Sequence, residues 1–99
     1  MTDADRQAPA GDGSTLPAID FSTFVMSLSH SVLVNLGDAP DPEGEQHPHL
    51  ELARQTIDLL ALLQEKTRRN LSGPEEHLLE QVLYDLRSRY VEVSRQKAP

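Results

Sequence analysis

The chain is predicted to be all-α: a short apolar helix, then a long antiparallel helical hairpin, preceded by a disordered acidic tail. Three observations carry this. Three segments repeat apolar residues at intervals of three and four, the period of one helical face. The last two segments are joined by a few residues with a helix-start signature. The first 17 residues hold almost no large apolar side chain. No internal repeat, long heptad series or strand-like alternation competes with that reading.

Residues 1–19 are expected to be a disordered tail and residues 20–95 a single helical domain. Up to Pro17 the chain is rich in Ala, Asp, Gly and Pro. Such a segment cannot bury enough surface to offset the entropy of ordering it. It lacks the basic start and apolar core of a secretory signal, so a cytoplasmic location is expected.

The first helix is expected at about 20–36. Asp20 is a good N-cap, and Gly37 suits the left-handed residue that ends a helix. Phe21, Phe24, Val25, Leu28, Val32 and Leu36 follow one face. Met26, Leu33 and Val34 widen the apolar surface, and Ser22, Ser27, Ser29 and Ser31 fill much of the rest. The segment falls short of the ~20 apolar residues that cross a bilayer. No membrane role is expected.

Residues 38–48, DAPDPEGEQHP, form an acidic loop. Three prolines and a glycine there prevent regular structure. The second helix is expected at about 49–70. Ala53, Ile57, Leu60 and Gln64 lie along one line, with Leu52, Thr56, Leu59 and Leu63 beside it. That apolar surface is broad enough for neighbours on two sides. Glu51 near its start and Lys66, Arg68 and Arg69 near its end suit the helix dipole.

The third helix is expected at about 74–95. Ser72 and Glu75 have capping-box spacing, and Pro74 sits in the first turn, where its missing N–H costs nothing. Leu79, Val82, Leu83, Leu86, Tyr90 and Val93 make its buried face. Helices two and three would each run roughly 33 Å at 1.5 Å per residue. Similar lengths and a short turn predict an antiparallel hairpin.

Composition excludes several functions. Cysteine is absent, so there are no disulfides, thiolate nucleophiles or Cys-based metal centres. Tryptophan is absent and aromatics are 4%, too few for a base-stacking platform. The formal net charge of −7 resides entirely in residues 1–48; acids and bases balance in residues 49–99. An acidic segment repels phosphate and anionic lipid.

The segments FSTFVMSLSHSVLVNLG (21–37), LELARQTIDLLALLQEKTRRNLS (50–72) and EEHLLEQVLYDLRSRYVE (75–92) resemble the bacterial family named domain of unknown function 1844. The blocks occur in order with the expected gaps. The resemblance implies a short, soluble, helical bacterial protein. It brings no assigned activity and no catalytic residues. Some relatives are associated with translation genes, an association rather than a mechanism.

The remaining chemistry is weighed residue by residue. His47 and His49, near Glu43, Glu45 and Glu51, have the ligand types of a metal site. A loop without rigid second partners favours plain solvation, so no metal or cofactor is expected. His30 has no identifiable nucleophile or acid beside it and is expected to be a partly buried structural histidine. With the hairpin turn centred near residue 72, Asp58 would face Arg87 in a structural ion pair. Lys66, Arg68, Arg69, Arg87 and Arg89 split between the ends of the hairpin, and Glu75 and Glu76 occupy the turn that would meet phosphate. Nucleic acid is therefore an unfavoured partner.

The expected function is a non-enzymatic helical interaction module, a homo-oligomer or adaptor, with Phe21, Phe24, Val25, Leu28, Val32 and Leu36 as the candidate interaction face. The alternative is a translation- or RNA-associated accessory factor.

Overall fold

The computed structural model describes residues 18–41 and 48–97. The expected tail to Pro17 and most of the acidic loop, including Glu43, Glu45 and His47, lie outside those residues. Among the described residues there are three helices and no strand: α1 Phe21–Leu36, α2 Leu50–Lys66 and α3 Gly73–Lys97. Each packs against the other two.

Local chemistry sets the boundaries. The Asp20 carboxylate accepts the Thr23 N–H at 2.8 Å and opens α1. Gly37 closes it at φ 87°. Its N–H donates to the Val34 carbonyl at 3.0 Å, and the Asp38 N–H to that of Leu33 at 2.8 Å. This is the Schellman pairing that satisfies the last free carbonyls of a helix.

α2 starts where His49 accepts the Leu52 N–H on Nδ1 at 3.2 Å. The His49 N–H donates to the Asn35 carbonyl at 2.7 Å, tying the start of α2 to the last turn of α1.

α2 ends at Lys66, four residues before the expected end at 70. The Thr67 hydroxyl and the Thr67 N–H both donate to the Leu63 carbonyl, at 2.7 and 3.0 Å. Arg69 then turns left-handed at φ 72°. α3 opens on the expected capping box. The Ser72 N–H donates to Glu75 Oε1 at 2.9 Å, and the Glu75 N–H to Ser72 Oγ at 3.2 Å. The helix runs two residues past 95. The hairpin arms are therefore unequal, 17 and 25 residues.

The core draws on all three helices: Val25, Val32 and Leu36; Ala53, Ile57 and Leu60; Leu79, Val82, Leu83, Leu86 and Val93. Ser29 is buried among them. A small side chain at that point lets helices approach closely. No buried side-chain polar atom among the described residues lacks a hydrogen-bond partner.

Two expected placements are corrected. The first is the α1 interaction face. Val25, Val32 and Leu36 are core residues, and Phe21 and Leu28 pack half-buried against the core. Of the six, Phe24 is the exposed one. Most of that line thus faces the protein's own interior, because α2 and α3 both pack on it.

The second is the ion pair. Asp58 lies 3.8 Å from Arg54 on its own helix, and its side chain is 67% exposed. No ion pair joins Asp58 to Arg87 among the described residues. At 100° per residue, Asp58 is turned out of the core row set by Ala53, Ile57 and Leu60. The early end of α2 also shifts the hairpin register away from a turn centred near residue 72.

Candidate functional site

With the core closed, a set of large apolar side chains remains at the surface. On α1 these include Phe24 and Met26, on α2 Leu52, Leu59 and Leu62, and on α3 Tyr84 and Val91. Met26 is turned about 200° from Phe24 around α1 and stands apart; the others fall into two areas, separable by helical geometry.

The first area lies on the α1–α2 layer. Leu52, Gln55, Leu59, Leu62 and Lys66 repeat at three and four residues, so they share a stripe along α2. Half-buried Leu63 borders it. On α1, Phe24 lies beside half-buried Leu28. Following the helical screw outward from the buried rows places both flanks on the side of the layer away from α3. Phe24 and Leu52 are each 42% exposed, Leu59 47% and Leu62 48%. The charges around this area are uneven. α1 carries no Asp, Glu, Lys or Arg along its 16 residues. On α2, Glu51, Asp58 and Glu65 repeat every seven residues and line the edge of the stripe distant from α1.

The second area is an open cleft of about 430 Å³ between α2 and α3. It is lined by Gln64, Glu80, Leu83, Tyr84, Arg87, Ser88 and Val91. Arg87, expected opposite Asp58, stands in this cleft instead. Its walls mix apolar surface with one guanidinium and one carboxylate.

A polar contact holds the other side of α3. Arg89 donates from Nε to Asp38 Oδ2 at 2.6 Å and from Nη2 to Asp38 Oδ1 at 2.8 Å. Its Nη1 donates to Glu92 at 2.9 Å. The guanidinium hydrogen bonds hold the Asp38 carboxyl below its ordinary value, and the two carboxylates push the Arg89 pKa up. This clamp was not apparent from the sequence. Asp38 and Arg89 are 51 residues apart, and no spacing rule connects a loop residue to a helix so distant.

The other sequence candidates separate in space. His30 is exposed rather than partly buried, and His77 is exposed in the first turn of α3. His49 serves as a helix cap. Among the described residues, no three His, Asp or Glu side chains are grouped to hold a metal ion. None of the described helices is long and apolar enough to cross a membrane.

Residues 18–92 match the family model described as Domain of unknown function (DUF1844). The match spans all of α1 and α2 and most of α3, and the chain belongs to that family. No curated protein and no solved structure matches the chain.

Proposed function

We propose that this member of the DUF1844 family is a non-enzymatic helical interaction module, acting as a homo-oligomer or adaptor through the outer face of its α1–α2 layer. One observation carries the reading. The three helices already close a core, yet Phe24, Leu52, Leu59 and Leu62 remain about half exposed on one side of it. Each large apolar side chain fully buried contributes ~1.5–3 kcal/mol, so a contiguous group left in water is a standing drive toward association. Contiguous apolar surface of this kind commonly marks a protein-binding site. The absence of charge along α1 supports the same reading, since a helix that met only water would ordinarily carry a charged outer face.

The test compares two baits in native extract, wild type and the Leu59→Lys, Leu62→Lys double variant, alongside their masses in solution. The variant should keep its helical circular dichroism while losing whatever the wild type binds, itself or another protein. Identical associations for both baits would remove this face from the function.

A further inference from the structure

We infer that the cleft between α2 and α3 is a self-pairing surface: α3 of a second copy lies along it antiparallel, so that Glu80 of each copy meets Arg87 of the other. The inference goes beyond the proposed function. It uses a different face and makes the chain a dimer whose two α1–α2 layers stay free.

The cleft is built on one line of α3. Glu80, Tyr84, Arg87 and Val91 follow one another at intervals of four, three and four residues, the seam spacing of paired helices. Leu83 is buried beneath them, while Tyr84 is 69% exposed and Val91 45%. No other large apolar side chain in the three helices stands out as far as Tyr84. A tyrosine offers a partner a large contact area at a small cost in side-chain entropy.

Charge names the occupant. Glu80 and Arg87 are both exposed, and among the described residues neither side chain has an ion-pair or hydrogen-bond partner. Arg68 shares the next groove with Glu76 and Glu80 but forms no ion pair with either. Glu80 and Arg87 lie two turns apart, about 10 Å along the helix, on either side of Tyr84. Read one way, the line runs acid, aromatic, base; read the other way, it runs base, aromatic, acid. It is the complement of its own reverse. A second copy turned about an axis that crosses α3 between Leu83 and Tyr84 therefore sets Glu80 against Arg87 at both ends. A two-fold contact requires a surface of this kind, complementary to itself. A parallel pairing would set Glu80 on Glu80 and Arg87 on Arg87, and like charges repel.

The rest of α3 agrees. Glu75 and Glu76 lie in its first turn and Arg95 near its end, so the antiparallel arrangement brings acidic start to basic end. The acids of the second half, Asp85 and Glu92, are turned about 100° or more away from the line. Arg89 is engaged by Asp38 and Glu92 on the other side of the helix. Two of the four seam positions are charged. Polar seam residues fix orientation at a cost in stability, so the dimer should dissociate in the micromolar range.

The charges supply the experiment. Sedimentation of the full chain from about 1 to 200 µM should show a monomer–dimer equilibrium. Glu80→Arg alone leaves two bases on the line, and Arg87→Glu alone leaves two acids. Each should raise the dissociation constant about tenfold or more, with helical circular dichroism unchanged. Mixing the two variants should produce the heterodimer, and both substitutions in one chain should restore the homodimer. A wild type that stays monomeric at the top of that range overturns the inference, and so does a double variant that associates no better than the singles. Self-association that disappears in the Leu59→Lys, Leu62→Lys variant and ignores the charge changes also overturns it, and leaves the interaction-module reading intact. Self-association that follows the charges, while wild-type and Leu59→Lys, Leu62→Lys baits capture the same proteins, upholds the pairing and removes the α1–α2 face from the function.

Discussion

Arg89 grips Asp38 with two hydrogen bonds, 2.6 and 2.8 Å long, and so fastens the second residue after α1 to the C-terminal half of α3. The paired, planar geometry is the strong form of a guanidinium–carboxylate contact. It acts where no covalent connection exists, because α1 and α3 are joined in sequence only through α2. The clamp sets the direction in which the chain leaves Gly37 and enters the acidic loop.

A pH dependence follows from the clamp. The Asp38 carboxyl is held below its ordinary value chiefly by its hydrogen bonds to Arg89. A depressed folded-state value means that the unfolded chain binds the proton first. The stabilisation is complete above the ordinary aspartate value, roughly pH 4, and is lost as pH falls through the depressed one. Asp38→Asn should lower the melting temperature by a few degrees at pH 7. The gap between variant and wild type should close toward pH 2. A gap that persists unchanged at pH 2 would show that the charge is not what matters.

Gly37 ends α1 at φ 87°, a conformation that disfavours any side chain. A Cβ there would also stand 3.4 Å from Pro48 Cγ. Gly37→Ala should cost ~1 kcal/mol in urea unfolding, mostly from the backbone conformation. An unchanged midpoint would mean that the turn relaxes without loss.

Arg69 is the converse case, a non-glycine residue at φ 72° in the connection between α2 and α3. Its side chain is exposed. Arg69→Gly removes the Cβ conflict and no packing, so it should stabilise by about 0.5–1 kcal/mol, less the entropy glycine adds to the unfolded chain. Calorimetry of the pair would settle the sign. A loss of stability would indicate that the guanidinium contributes more than the strain it imposes.

The local signals of the fold were legible where one short segment contains all the chemistry. Asp20, Gly37 and the Ser72–Glu75 box each act within a few residues, and the helices begin or end there. The end of α2 was not legible. The Thr67 hydroxyl adds a second bond to the Leu63 carbonyl and Arg69 turns left-handed two residues later, and apolar periodicity is blind to both. Periodicity also identified the apolar line of α1 without saying whether an intramolecular or an external partner covers it. That depends on where α2 and α3 pack, a long-range fact, and together they cover most of it. The Asp58–Arg87 expectation failed for a related reason. Facing positions along a hairpin fix height along the helices but not the rotation that turns Asp58 outward.

Leu59 and Leu60 adjoin in sequence and differ by 100° around α2, and their substitutions should separate stability from association. Leu60 is fully buried, whereas Leu59 is 47% exposed. Leu60→Ala leaves a cavity in the core shared by the three helices and should cost ~2–5 kcal/mol. A domain of this size is stable by only about 4–11 kcal/mol at the usual 0.05–0.15 per residue, so that loss is a large fraction. Leu59→Lys removes no core side chain and introduces a charge on a surface already about half exposed in the monomer. Its effect on the monomer should stay within about 0.5 kcal/mol, the range of ordinary surface substitutions. Unfolding must be followed at low micromolar concentration, where self-association contributes little, because dimerisation itself adds stability by mass action. If Leu59→Lys at that dilution destabilises as much as Leu60→Ala, residue 59 belongs to the folding core and the exposed stripe is not available to a partner.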